Sequence, residues 1–296
     1  MIHIPVMAKE VARYLIWDKE GIYVDGTVGE GGHTLYLLRN FPRIKIIGID
    51  RDGEILKQAK SNLTRYRRAK LKQGNFSNLK SILYTEGIEK VNGILIDLGF
   101  SSFHVEASGR GFSFQKEEFL DMRYDQRENL TAYEIVNTFS KRELEDIFLS
   151  FGEEKKAKKI ANAIVEERKK KKISTTYQLK EVIEKEIKRK QKIHPATLIF
   201  QALRIAVNSE LEHLKNALVN FPQILKDGGR IVVISYHSLE DRIVKRVFHM
   251  LKNRGEFILH TQKPIRPTKE EIAVNPRSRS AKLRVGEKNE SKEKVP

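Results

Sequence analysis

Ile22-Tyr23-Val24-Asp25-Gly26-Thr27-Val28-Gly29-Glu30-Gly31-Gly32-His33 is the stretch on which the fold turns. A short apolar run ends in an acid, a glycine-rich loop follows, and a helical pattern begins near Thr34. That is the strand–loop–helix opening of an open α/β sheet, in which glycines let the backbone turn tightly and approach a ligand at the positive end of a helix. The spacing Gly-x-x-Gly-x-Gly differs from the G-x-G-x-x-G of dinucleotide oxidoreductases. Asp25 stands directly before the loop, and a loop made for a pyrophosphate gains little from a neighbouring carboxylate. A cationic ligand suits it better. A tight structural turn is the alternative reading of the glycines alone.

Further short apolar runs follow. Lys45-Ile46-Ile47-Gly48-Ile49-Asp50 predicts a second strand, Ala69-Lys70-Leu71-Lys72-Gln73 a weaker third, and Gly93-Ile94-Leu95-Ile96-Asp97 a fourth. Continuous apolar runs of this kind fit parallel strands covered on both faces. Over residues 105–195 the strand pattern stops and charge rises. Ser140 with Glu143 and Thr175 with Gln178 have capping-box spacing. Ala157, Ile160, Ala161 and Ile164 form one apolar helix face, as do Leu179, Val182, Ile183 and Ile187. This block reads as an all-helical insertion. A long helix is expected over about Ala196 to Asn220, then a turn at Asp227-Gly228-Gly229 and a buried strand over Arg230–Ser235. Phe257–His260 and Ala281–Val285 are expected as final strands, and Gly286–Pro296 as a disordered charged tail. The expected organisation is thus a discontinuous sheet domain, 1–104 and 196–285, with the helical insertion at 105–195.

Composition narrows the chemistry. The 296 residues contain no cysteine, which excludes disulfides, thiolate metal sites, iron–sulfur clusters and a cysteine nucleophile. The eight histidines show no His-x-x-x-His spacing, so no metal site is expected. Neither an export signal nor a membrane-spanning run is visible, which leads to the expectation of a cytoplasmic protein with no membrane partner. Lys and Arg number 56 against 39 Asp and Glu, a net +17. An excess of this size favours a polyanionic partner, although Lys- and Glu-rich surfaces also suit proteins of hot environments. The runs Arg168–Lys172, Lys185–Lys192 and Arg277-Ser278-Arg279 are candidate phosphate contacts, or solvated faces.

Two constellations carry chemistry. Asp50, at the end of the second strand, is placed to accept from both hydroxyls of a ribose, or to cap a helix or pair with Arg51. Phe76 falls where an adenine-contacting side chain would, and also reads as core. Asp97-Leu98-Gly99-Phe100 follows the fourth strand and resembles the four-residue turn of amino methyltransferases of nucleic acids. An exocyclic base amine is a poor nucleophile because its lone pair is conjugated into the ring. A carboxylate and a backbone carbonyl that accept its hydrogens localise that lone pair and aim it. Asp97 is therefore the candidate catalytic acceptor, with Phe100 placed to stack on the base. Tyr236 and His237, after the late strand, are candidates to line the base pocket. His237 is a second candidate catalytic group, although a methylated amine loses its proton readily to water. Ser238 with Asp241 reads as the cap of the helix that follows. Without a Gly-x-Ser-x-Gly elbow, a serine hydrolase is not expected.

Taken together, the chain resembles the ribosomal RNA small-subunit methyltransferase H family, also called MraW, over nearly its whole length. The residues that carry the resemblance are Asp25–His33, Gly109-Arg110-Gly111-Phe112-Ser113-Phe114, Leu120-Asp121-Met122-Arg123, His194-Pro195-Ala196-Thr197, Phe200–Arg204, Val207–Leu211, Ser235–Arg242 and Asn275–Ser280. The resemblance implies a Rossmann-like class I methyltransferase sheet with an inserted helical domain for RNA recognition, and S-adenosylmethionine as cofactor. It implies transfer to N4 of a cytosine in 16S rRNA near the decoding centre, with small-subunit rRNA or a partly assembled small subunit as partner. Cofactor contacts are implied at Gly31, Gly32, His33, Asp50, Phe76 and Asp97, and at His104, where relatives commonly carry glutamine. Rival readings are methylation of another RNA or DNA amine, a nicotinamide-dependent dehydrogenase, or a catalytically silent RNA-binding assembly factor.

Overall fold

The computed structural model describes residues 4–99, 101–187 and 194–290. The chain divides into two compact units, residues 1–99 with 211–296, and residues 100–210.

The first unit is built on a seven-stranded sheet: β1 Ile22–Asp25, β2 Lys45–Asp50, β3 Ala69–Gln73, β4 Val91–Asp97, β5 Leu225–Ser235, β6 Phe257–Leu259 and β7 Lys282–Lys288. Their order is β3-β2-β1-β4-β5-β7-β6. β1 to β5 run parallel, and β7 is antiparallel to both β5 and β6. This is a Rossmann-like α/β sheet with an antiparallel strand near one edge. Strand order reverses between β1 and β4, and open α/β sheets bind ligands at the carboxyl end of such a switch point.

Strand alternation feeds two cores. Val24, Ile47, Ile49, Ile94, Ile96, Ile231 and Val233 pack on one face. Tyr23, Ile46, Leu95, Val232, Ile234, Leu283 and Val285 pack on the other. Neighbouring residues of a strand point to opposite faces, so a strand covered on both sides reads as one apolar run.

Two expectations at the sheet's far edge change. The strand predicted from Arg230 starts at Leu225, and the diglycine lies within it as an irregularity. Val91 pairs with Leu225, but Gly93 pairs with Arg230. Gly228 takes φ 74, which a glycine adopts without strain. The predicted tail is also shorter at its start. Gly286, Glu287 and Lys288 belong to β7 and pair with β5 and β6. Glu287 reaches Arg230 at 2.7 Å and His260 at 2.7 Å. Charge misleads here because these side chains are satisfied across the sheet edge. Residues 291–296 lie outside the described residues.

The second unit is helical, with Phe119 and Thr175 forming an isolated bridge. Its core holds Leu144, Phe148, Ala157, Ile160, Ala161, Ile164, Leu179 and Ile183, all fully buried. The capping boxes at Ser140/Glu143 and Thr175/Gln178 are both formed, and Thr131 with Glu134 makes another. The predicted long helix is two, Pro195–Asn208 and Glu210–Asn220. The break is Ser209, at φ 48. Pro195–Asn208 sends Ala196, Ile199, Phe200, Ala202 and Leu203 into the helical core, so the compact unit extends past the boundary expected at residue 195. No helix among the described residues is long and apolar enough to cross a membrane.

Candidate active site

Four neighbouring strands of the sheet unit, β2, β1, β4 and β5, end at one edge. They deliver Asp50, Asp25, Asp97 and the pair Tyr236-His237 there. The glycine loop after β1 ties these ends together. Gly29 N–H donates to Asp50 Oδ2 at 2.9 Å, and the backbone N–H of Asp97 donates to Thr27 Oγ1 at 2.7 Å. Gly29 and Gly31 have φ 52 and 90, and a Cβ on Gly31 would lie 3.0 Å from Leu63. Gly26 is confined differently, because a Cβ there would meet Ile96 at 2.5 Å and Phe76 at 3.2 Å. The loop therefore needs glycine for conformation at two places and for space at a third.

His33, near the start of the helix Gly32–Asn40, is 7% exposed. Neither of its ring nitrogens makes a hydrogen bond among the described residues. Nε2 lies 3.4 Å from Asp97 Oδ2, an electrostatic contact without hydrogen-bond alignment. Asp25 is 1% exposed and accepts from Thr34 Oγ1 at 2.7 Å. Burial pushes its carboxyl up to about 6, an effect that nearby His33 and the Thr34 hydroxyl only partly offset.

Asp97 accepts from Gly99 N–H at 3.1 Å, which curls the turn after β4. Its side chain is 18% exposed. The Tyr236 phenol is raised well above its ordinary range, first by burial and then by the neighbouring Asp97 carboxylate. Tyr236 also fills the space over Gly99, where a Cβ would lie 2.9 Å from its ring. The hydroxyl thus stays a donor, and the ring holds the Asp97–Gly99 turn against β5.

His237, not Ser238, caps the helix Ser238–Asn253. Its Nδ1 accepts from Glu240 N–H at 3.4 Å. Nε2 is 3.0 Å from Glu240 Oε1, again off the hydrogen-bond axis. The other Glu240 oxygen accepts from the backbone N–H groups of Tyr236 at 2.7 Å and His237 at 3.2 Å. Glu240, 2% exposed, organises the whole corner. Sequence reasoning missed it because histidine is outside the usual N-cap set, which put the cap one residue late. Thr27 and Thr34 were missed too. Their one signal was position, inside and directly after the glycine loop.

The remaining candidates separate. Phe76 is 9% exposed and joins the core beneath the loop. Asp50 accepts from two backbone amides, of Gly29 and of Asp52. His104 belongs to the helical unit, where it is buried against Phe112 and Tyr124 with ring centroids 5.0 and 4.8 Å away. Phe100 lies outside the described residues. Of the basic runs, Arg168 donates to the carbonyls of Val136 and Phe139 and so closes a helix end, while Lys169 and Lys170 pair with Glu166 and Glu167. Lys188–Lys192 is outside the described residues.

Carboxylates at three adjacent strand ends, with an unsatisfied buried imidazole between two of them, fit a ligand that combines positive charge with hydroxyls. A pyrophosphate would be repelled.

Known proteins resemble the chain closely. The family model described as "MraW methylase family" matches residues 1–289. The ribosomal RNA small subunit methyltransferase H of Thermosipho africanus is 49% identical over 290 residues, covering 97% of each chain. The protein of the same name from Dictyoglomus thermophilum is 51% identical over 300 residues, covering 98% of each. That of Coprothermobacter proteolyticus is 46% identical over 286 residues, covering 97% of this chain and 96% of the relative. A match over this length, at this identity, on a sheet of this order leaves one conclusion: the chain belongs to the MraW methylase family.

Proposed function

We propose that the protein transfers a methyl group from S-adenosylmethionine to an exocyclic amine of small-subunit ribosomal RNA, specifically N4 of a cytosine in 16S rRNA near the decoding centre. The observation that carries this reading is the junction of the glycine loop with Asp50 and Asp97 at one sheet edge. The relatives' names supply the class of substrate. The chemistry of Asp97 supplies the amine.

S-adenosylmethionine, when bound, supplies an electrophilic methyl on a cationic sulfur. Asp50 accepts from its ribose hydroxyls, Phe76 contacts the adenine, and Gly31, Gly32 and His33 receive the amino-acid end at the helix N-terminus. Asp25 places negative charge beneath that end. His104 is proposed as a further contact.

Asp97 accepts a hydrogen of the target amine and so turns the nitrogen lone pair toward the methyl group. The protonated Tyr236 hydroxyl lies beside Asp97 and can donate to it, steadying the carboxylate's direction. Phe100 stacks on the base, and His237 lines the pocket beside Tyr236. With its Nδ1 engaged in the helix cap, His237 shapes the pocket more than it handles protons. Alignment and stabilisation of charge forming on nitrogen are together worth several powers of ten in rate. A cytosine inside a folded RNA must first be splayed out, so the substrate is a partly assembled small subunit in which that base is reachable.

The test is methyl transfer from radiolabelled S-adenosylmethionine to small-subunit particles lacking the modification. Wild-type protein labels the RNA. Asp97→Ala retains cofactor binding by calorimetry and loses transfer. Near-normal turnover by that variant would show that Asp97 is not the acceptor. No labelling by the wild type, with cofactor bound, would support a silent assembly factor instead.

A further inference from the structure

The basic excess is not where the insertion reading put it. Residues 100–210 hold 22 Lys and Arg against 18 Asp and Glu, which leaves 34 against 21 for the sheet unit. A concentrated part of that excess lies on the helix Ser238–Asn253. Its inner face buries Leu239, Val244, Val247, Phe248 and Leu251. Its outer face exposes Arg242, Lys245, Arg246, His249 and Lys252, with no acid between Arg242 and Asn253. Arg254, just past the helix end, stands 3.9 Å from Glu256. Lys245, Arg246, His249, Met250, Asn253 and Arg254 line a shallow surface depression.

Several cations on the helices of the second unit stand beside acids. Lys169 pairs with Glu166, Lys170 with Glu167, and Lys180 with Glu184. Lys245, Arg246 and Lys252 form no ion pair with any described residue. A stripe of uncompensated cations on one helix face is costly in self-repulsion unless it meets an anion.

We propose that the outward face of the helix Ser238–Asn253 docks the phosphate backbone of the RNA substrate. The proposal rests on the functional reading above and names a part of the sheet unit, not of the insertion, as a substrate-binding surface. The helix begins directly after Tyr236 and His237, so the strip leads away from the candidate pocket. From Arg242 to Lys252 it runs about 15 Å at 1.5 Å per residue, which spans several phosphates of an RNA strand. The contacts are sequence-independent. They hold the RNA while Asp97 and its neighbours read the base.

The experiment measures the dissociation constant of the full chain for unmodified small-subunit particles across a salt series. It compares wild type, the triple variant K245Q/R246Q/K252Q, and the control K169Q/K170Q. The expected result is that the triple variant binds about tenfold or more weakly at low salt, with a log–log salt slope smaller by about two to three, roughly one for each phosphate no longer neutralised. Its affinity for S-adenosylmethionine stays at the wild-type value, which excludes misfolding, and the control variant keeps the wild-type slope. An unchanged slope in the triple variant overturns the strip while leaving the functional reading intact. An equal loss in the control overturns it too, since any surface lysine would then serve. A wild type that fails to bind the particles sinks the functional reading, and the strip with it.

Discussion

Asp25→Asn tests the electrostatics of the site without touching the proposed acceptor. The Asp25 carboxyl is 1% exposed and pushed from 3.8 up to about 6, chiefly by burial. A carboxyl raised in the folded state binds its proton more tightly there than in the unfolded chain. Its stabilising contribution is therefore complete below pH 3.8 and is lost as pH rises to about 6. A displacement of roughly two pH units corresponds to about 3 kcal/mol as an order of magnitude. The asparagine side chain keeps an oxygen for the Thr34 hydroxyl and has no charge to bury, so the variant should lack this pH dependence. Urea unfolding of both proteins at half-unit steps from pH 4 to pH 7 reads the difference. Between pH 4 and 6 the wild type should lose about 2 kcal/mol relative to Asp25→Asn. Parallel curves would refute the assignment of an unfavourable buried charge. A ligand cation near Asp25 favours its ionised form, so by the same linkage the wild-type affinity for S-adenosylmethionine should rise as pH passes 6, while the variant's stays flat. A wild-type affinity independent of pH across that range would show that Asp25 does not face the donor's charge.

Tyr236→Phe removes the hydroxyl proposed to donate to Asp97. A hydrogen bond to a charged group is worth about 1.5–3 kcal/mol, so turnover should fall by roughly ten- to hundredfold with cofactor affinity unchanged. Turnover at the wild-type level would make Tyr236 a wall and nothing more. Asp50→Ala should weaken cofactor binding by about 1–3 kcal/mol in calorimetry and lower thermal stability too, because the Gly29 and Asp52 amides lose their acceptor. An unaltered dissociation constant would remove Asp50 from the ribose site. Ile164→Ala, in the core of the helical unit, should cost about 2–5 kcal/mol of that unit's stability while cofactor affinity holds. A loss of cofactor binding in step with the melting would show that the two units do not unfold separately.

Much of the sheet unit was legible because parallel strands write themselves as apolar runs ending in acids. Asp25, Asp50 and Asp97 each close such a run, and each lies at the carboxyl edge. The helical unit was legible through periodicity and caps, as Ala157, Ile160, Ala161 and Ile164 are all fully buried. Boundaries were harder. Nothing local announces that Ser209 takes φ 48 and splits the helix, or that Gly228 and Gly229 sit within a strand. Charge misled at both scales. Glu287 and Lys288 look like a tail but pair across a sheet edge, and Arg168 looks like a phosphate ligand but closes a helix. Side-chain partners decide such cases, and partners distant in sequence are invisible until the chain is folded. Glu240 shows this most clearly: it looks like an ordinary helical acid, yet it holds Tyr236 and His237 in place.

The most direct measurement is the identity of the product. Unmodified small-subunit particles are incubated with the protein and S-adenosylmethionine, the RNA is digested to nucleosides, and the methylated species is identified by mass spectrometry. Its position is then mapped by fragment analysis. The account predicts N4-methylcytidine at a single site near the decoding centre, absent when Asp97→Ala replaces the wild type. A methyl group on carbon, on ribose, or on another base would contradict it.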